Sequence, residues 1–122
     1  MRSNSSLFKA GLVCLLLALT QPFVHAMIIY VDDDAPPPGD GTSWTTAYRY
    51  LQDALAEAND SEELAEIRVA QGTYKPDEGS HLTRGDVFAT FHVYTSMILQ
   101  GGFAGLDQSD PNARDILSLI HI

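Results

Sequence analysis

Four aspartates, Asp32, Asp33, Asp34 and Asp40, are the densest group of chemistry-bearing side chains in the 122-residue sequence. Carboxylates are hard oxygen ligands of the kind calcium takes, and extracellular calcium sites are built from such sets. The candidate metal ligands are Asp32, Asp34 and Asp40, and calcium is the cation they would hold. Their spacing departs from the EF-hand loop, whose ligands alternate around a glycine at the sixth place. The competing reading is a solvated strand end and turn, the usual fate of a charge run.

The remaining candidates are scattered. Trp44 could stack on a sugar ring, although a tryptophan beside a helix more often serves as a packing anchor because it buries so much area. His81 and His92 have no serine, cysteine or carboxylate at a recognisable catalytic spacing. In the run Phe91-His92-Val93 the histidine is expected to point outward between two buried neighbours. Lys75 and Arg84 flank a polar loop that could contact an anionic glycan. No catalytic residue is assigned, and no cofactor other than calcium is indicated.

These side chains need elements to position them. Met27 to Val31 is β-branched and aromatic and reads as a strand. The acidic run and the stiff Ala35-Pro36-Pro37-Pro38 linker end it. Gly39-Asp40-Gly41-Thr42-Ser43-Trp44 is turn chemistry with two hydroxyl residues able to cap a helix. A helix is expected from roughly Thr46 to Ala58, since Ala47, Tyr50, Leu51, Ala54, Leu55 and Ala58 fall on one face. Asn59 is the residue expected to take a left-handed cap. Glu66 to Tyr74 is a second strand broken by Gly72, Val87 to Tyr94 alternates in part, and Met97 to Phe103 is a further apolar strand. Ile67-Arg68-Val69-Ala70-Gln71-Gly72 echoes Met97-Ile98-Leu99-Gln100-Gly101-Gly102 thirty positions on, and a strand–corner–loop unit repeated at a fixed interval reads as a stacked solenoid.

Both ends stand apart from this pattern. Residues 1–26 read as a signal peptide: Arg2 and Lys9 precede the apolar core AGLVCLLLALT, and Val24-His25-Ala26 supplies small residues at a cleavage site. The apolar run is shorter than the roughly 20 residues a membrane span needs, so the mature chain is expected to have no membrane span. Cys14, the only cysteine, lies inside that core, so the mature chain has no thiol for disulfides or zinc. Residues 117–122 (LSLIHI) can be encoded by CTG TCT CTT ATA CAC ATC, which resembles the end of a transposase adapter from DNA library preparation, and they are expected to be translated adapter. Without Arg2 and Lys9, five basic residues face 16 acidic ones, a net charge of −11. Such a surface disfavours nucleic acid and anionic membranes and suits an extracellular, solute-facing protein.

The series IIYVDDDAPPPGDGTSW, TAYRYLQDAL, EIRVAQGTYKP and MILQGGFAG resembles the amino-terminal region of secreted right-handed parallel β-helix proteins, the pectin-lyase-like superfold. The resemblance implies a mainly β fold with one capping α-helix, residues 27–116 forming the cap and first coils of a β-helix that is truncated here. It implies a secreted or cell-surface protein whose partner is an extracellular polysaccharide or cell-surface glycan. Two functions follow from it: a non-catalytic scaffold for adhesion or glycan contact, or a polysaccharide lyase or glycoside hydrolase whose active site lies in later coils. Fold analogy does not choose between them.

Overall fold

The computed structural model describes residues 25–116. The expected signal peptide, apart from His25 and Ala26, and the hexapeptide 117–122 therefore lie outside the described residues. Three strands and one helix follow in the order β1 (Met27–Val31), α1 (Leu51–Asp60), β2 (Ala65–Ala70) and β3 (Met97–Phe103). The strands form one parallel sheet in the order β1-β2-β3. The fold is thus mainly β with one helix. No helix among the described residues is long and apolar enough to cross a membrane.

Alternation decides the two faces of the sheet. Ile29 pairs with Ile67 and Val31 with Val69, while Ile67 pairs in turn with Leu99. These side chains stack in aliphatic columns on the inner face, and Ile29, Val31, Ile67 and Val69 are fully buried there. Rows Ile28–Glu66–Ile98 and Tyr30–Arg68–Gln100 alternate with them and lie on the outer face. Leu51, Ala54, Leu55 and Ala58 of α1 close the core from the other side.

Four expectations need correction. The helix begins at Leu51 rather than Thr46, because residues before it are bound to β1. Tyr48 N–H donates to Tyr30 O and Tyr48 O accepts from Asp32 N–H, both at 2.9 Å, and a residue whose two backbone groups face a strand has none left for a helical turn. Tyr30 N–H also donates to Gly41 O, so residues 41–48 satisfy the outer edge of β1. The helix supplies the apolar plug behind it. Thr42 and Ser43 do not cap α1; Tyr50 holds the N-cap position without a side-chain bond, and the two hydroxyls bond within their own loop. At the other end Asn59 remains helical and Ser61 is the cap, in extended conformation, since the chain must run straight into β2.

The third correction concerns register. Ala65 faces Met97, an offset of 32 residues rather than thirty, and beyond an irregularity between Arg68 and Ala70 the pair is Ala70 with Phe103. A slip of two residues preserves the faces of a strand, so alternation alone cannot detect it. The fourth is that Val87 to Tyr94 is not a strand. Val87 and Phe88 are each 86% exposed. In β3, Met97 and Phe103 are both buried.

Candidate functional site

The acidic run sits where β1 ends, and the tertiary structure brings the ends of β2 and β3 to it. Asp32 is buried, with 2% of its surface exposed. Its Oδ1 accepts Asp34 N–H at 3.0 Å, and its Oδ2 accepts Leu106 N–H, just beyond β3, at 2.7 Å. Asp33 Oδ2 accepts Thr73 N–H, just beyond β2, at 3.0 Å. The Tyr74 hydroxyl donates to Ala70 O at 2.8 Å and lies 3.3 Å from Asp33 N–H, which donates to it. Two adjacent carboxylates therefore stitch the corner after β1 to the corners after the next two strands.

Glycines permit this approach. A Cβ on Gly72 would stand 2.5 Å from Asp33 Oδ1, and one on Gly105 would collide with Asp32 Oδ2. Burial pushes the Asp32 carboxyl above its ordinary value, against the opposing pull of the Leu106 and Asp34 N–H groups; the charges of Asp34 and Asp33 add to the rise. The burial of Tyr74, reinforced by the Asp33 charge, raises its hydroxyl strongly, so it stays a neutral donor.

The carboxylates of Asp32, Asp33 and Asp34 each place an oxygen within 4.8 Å of the others. Asp40 is not part of this group. Its Oδ1 accepts both the N–H (3.0 Å) and the hydroxyl (2.7 Å) of Thr42, and these bonds hold its carboxyl below the ordinary range. The expected set of Asp32, Asp34 and Asp40 is thus replaced by three consecutive residues. Both Asp32 oxygens and one of Asp33 already accept backbone N–H groups, so a calcium ion here would draw most of its six to eight oxygens from elsewhere. The first chemistry of this cluster is to accept backbone N–H groups at the corners.

The raised Asp32 carboxyl gives a pH signature. A carboxyl whose folded value lies above its unfolded value binds protons more tightly when folded, so its contribution is fully present below 3.8 and is lost as pH rises through the folded value. The stability advantage of wild type over Asp32→Asn is expected to shrink as pH rises from about 4 to 7. Urea unfolding of both proteins across that range measures it, and a difference that grows with pH would contradict the assignment.

Trp44 is a packing anchor. It is buried against Tyr30, with ring centres 4.9 Å apart, and Phe103, at 5.7 Å, and its Nε1–H donates to Asn112 Oδ1 at 2.9 Å. It is not placed to stack on a sugar.

Lys75 and Arg84 line one polar concavity of about 190 Å³, where Arg49 joins them beside Asp33 and Glu78. Arg49 was not singled out from the sequence; its place in that group depends on the turn before α1 and has no local signal. His81 and His92 also come together, along a groove of about 230 Å³ between α1 and the 80–94 segment. His92 Nε2 lies 3.0 Å from Thr90 Oγ1 and its ring stacks on Tyr94. His92 is exposed as expected, but only Phe91 packs on the core, while Val93 is 52% exposed. Comparison with family models, curated proteins and solved structures finds no match.

Proposed function

We propose that the chain is the amino-terminal cap and first coils of a right-handed parallel β-helix, exported through a cleaved signal peptide, and that it acts as a non-catalytic scaffold for adhesion or glycan contact. The observation that carries this reading is the stack itself: three parallel strands in sequential order, with aliphatic columns inside and one edge sealed by residues 41–48. In such an array each rung contacts only its neighbours, so the outer face extends with every added strand.

The outer face suits extended contact. Arg68 is held by Glu66 at 2.7 Å and lies 6.0 Å from the Tyr30 ring and 5.8 Å from that of Phe103. Rows of apolar, aromatic and paired charged groups offer both stacking and hydrogen-bonding to the two faces of a sugar. Calcium at Asp32, Asp33 and Asp34 would brace the corners of the stack.

Retention on immobilised polysaccharides, with a parallel assay for new reducing ends, tests the reading. The expected result is retention without cleavage, weakened several-fold by Tyr30→Ala. Cleavage would favour the lyase or hydrolase alternative, and absence of retention would sink the scaffold.

A further inference from the structure

Between residues 25 and 116 the chain holds five basic residues against 16 acidic ones. Two of the five have structural roles. Arg68 is paired with Glu66 at 2.7 Å, and Arg114 Nε donates to Gly101 O at 2.7 Å beside the Phe103 ring. The other three, Arg49, Lys75 and Arg84, line one polar concavity of about 190 Å³. Arg49 and Lys75 take part in no salt bridge among the described residues, and Arg84 reaches Glu78 only at 3.9 Å. Asp33 and Glu78 share the lining, so the cations stand in excess, and Asp33 Oδ2 is already taken by Thr73 N–H. On a surface this acidic, carboxylate partners are plentiful. Three cations gathered in one hollow and largely unpaired there focus a positive field that draws an anion from outside.

The walls of the hollow come from separate segments that are tied together. Gln52 Nε2 donates to Pro76 O at 2.6 Å and to Thr90 O at 2.9 Å, while the Asp53 carboxylate accepts Ser80 N–H at 2.9 Å and its hydroxyl at 2.7 Å. These bonds strap the segment carrying Arg84 to the first turn of α1, just after Arg49. Asp77 Oδ2 accepts Gly85 N–H at 2.8 Å, which pins the neighbour of Arg84 close to Lys75. That N–H, and after it the charges of Lys75 and Arg84, hold the Asp77 carboxyl below its ordinary value, so the tie stays ionised. A ligand that meets a braced site loses less in ordering it.

We infer that this concavity binds one sugar residue carrying a single acidic group, the carboxylate or sulfate of an anionic glycan. Each part of the lining answers a part of such a ligand. A guanidinium, from Arg49 or Arg84, takes an oxyanion through two parallel N–H bonds, and Lys75 adds a point charge. Asp33 and Glu78 are acceptors that sugar hydroxyls donate to and that repel a bare inorganic anion. The Thr73 and Tyr50 hydroxyls donate or accept, and the half-buried Tyr50 adds an aromatic side chain to the wall. Volume sets the size. The hollow is smaller than the roughly 300–1,000 Å³ of pockets that enclose drug-sized ligands, so one ring enters and the rest of a chain stays outside. An extended polyanion such as nucleic acid would meet the surrounding acidic surface, which one small group avoids.

This inference rests on the glycan-contact reading and adds to it a separate site and the acidic group it takes. The test titrates the full chain by calorimetry, at low and at high salt, with methyl glucuronide, galactose 6-sulfate, methyl glucoside and sodium sulfate. At least one acidic sugar is expected to bind about tenfold or more tighter than methyl glucoside and sodium sulfate, and more weakly as salt rises. The tighter of the two acidic sugars identifies the acid. Arg49→Gln and Lys75→Gln are each expected to weaken it several-fold. Arg114→Gln, which removes the same charge elsewhere, is expected to leave it within about twofold. Arg49 and Lys75 are exposed, so their variants are expected to keep the fold, which urea unfolding checks. No acidic sugar bound, a neutral sugar or bare sulfate bound as tightly, or an equal loss in Arg114→Gln would overturn the proposal. Polysaccharide retention that depends on Tyr30 but not on Arg49 removes this site and keeps the scaffold. Arg49-dependent binding of an acidic sugar without Tyr30-dependent retention does the reverse.

Discussion

Replacing Ile67 by alanine is expected to destabilise the protein by about 2–5 kcal/mol, the range for truncating a large aliphatic side chain in a packed core. Ile67 is fully buried in the central strand, with Ile29 on one side in the ladder and Leu99 on the other. Leu51 and Leu55 of α1 belong to the same apolar cluster. The cavity would therefore open between all three strands and the helix, where neighbours on four sides cannot collapse together. Ile98→Ala is the control, because Ile98 lies in β3 on the outer face with 41% of its surface exposed. Its change should stay near the ±0.5 kcal/mol typical of surface positions. Chemical denaturation of the two variants decides the matter: equal losses would mean that the inner and outer faces have been misassigned.

Gly105→Ala is expected to cost about 3 kcal/mol or more. Two terms add. The backbone at Gly105 has φ +82°, and a left-handed conformation costs a residue with a Cβ about 1–2 kcal/mol. The new methyl would also overlap Asp32 Oδ2 and stand 2.6 Å from Ala70 Cβ, an overpacking penalty of typically 1–3 kcal/mol. Relief of that overlap would displace the Asp32 carboxylate from Leu106 N–H and leave a part-buried donor unpaired. Gly85→Ala has the same sign of φ but open space around it, so it isolates the backbone term. If the two variants lose equal stability in thermal unfolding, contact with Asp32 contributes nothing and the stitched-corner account fails.

Much of the fold was legible because it is written locally. The bounds of β1 and β3 follow from short β-branched and apolar runs ended by aspartates or glycines, and the buried stripe Leu51, Ala54, Leu55, Ala58 follows from helical spacing. Periodicity reports which way a side chain faces, and facing was right at these positions. It does not report what another segment does to the same backbone. Tyr48 carries a helical pattern, yet its N–H and C=O belong to β1, and only the approach of the two segments reveals that.

The candidate site divides the same way. The residue order alone determined that an acidic cluster stands at the end of β1, and that residues 25–116 hold no cysteine and carry a net charge of −11. Tertiary structure decided which aspartates act together. Asp33 rather than Asp40 joins Asp32 and Asp34, because the corners at Thr73 and Leu106, 40 and 74 residues from the aspartates they bond, present N–H groups that only the parallel stacking of strands brings within reach. The same stacking set the offset of 32 between β2 and β3, where the sequence echo suggested thirty. Alternation is unchanged by a shift of two residues, so register, and with it every contact between successive corners, is fixed by packing in three dimensions.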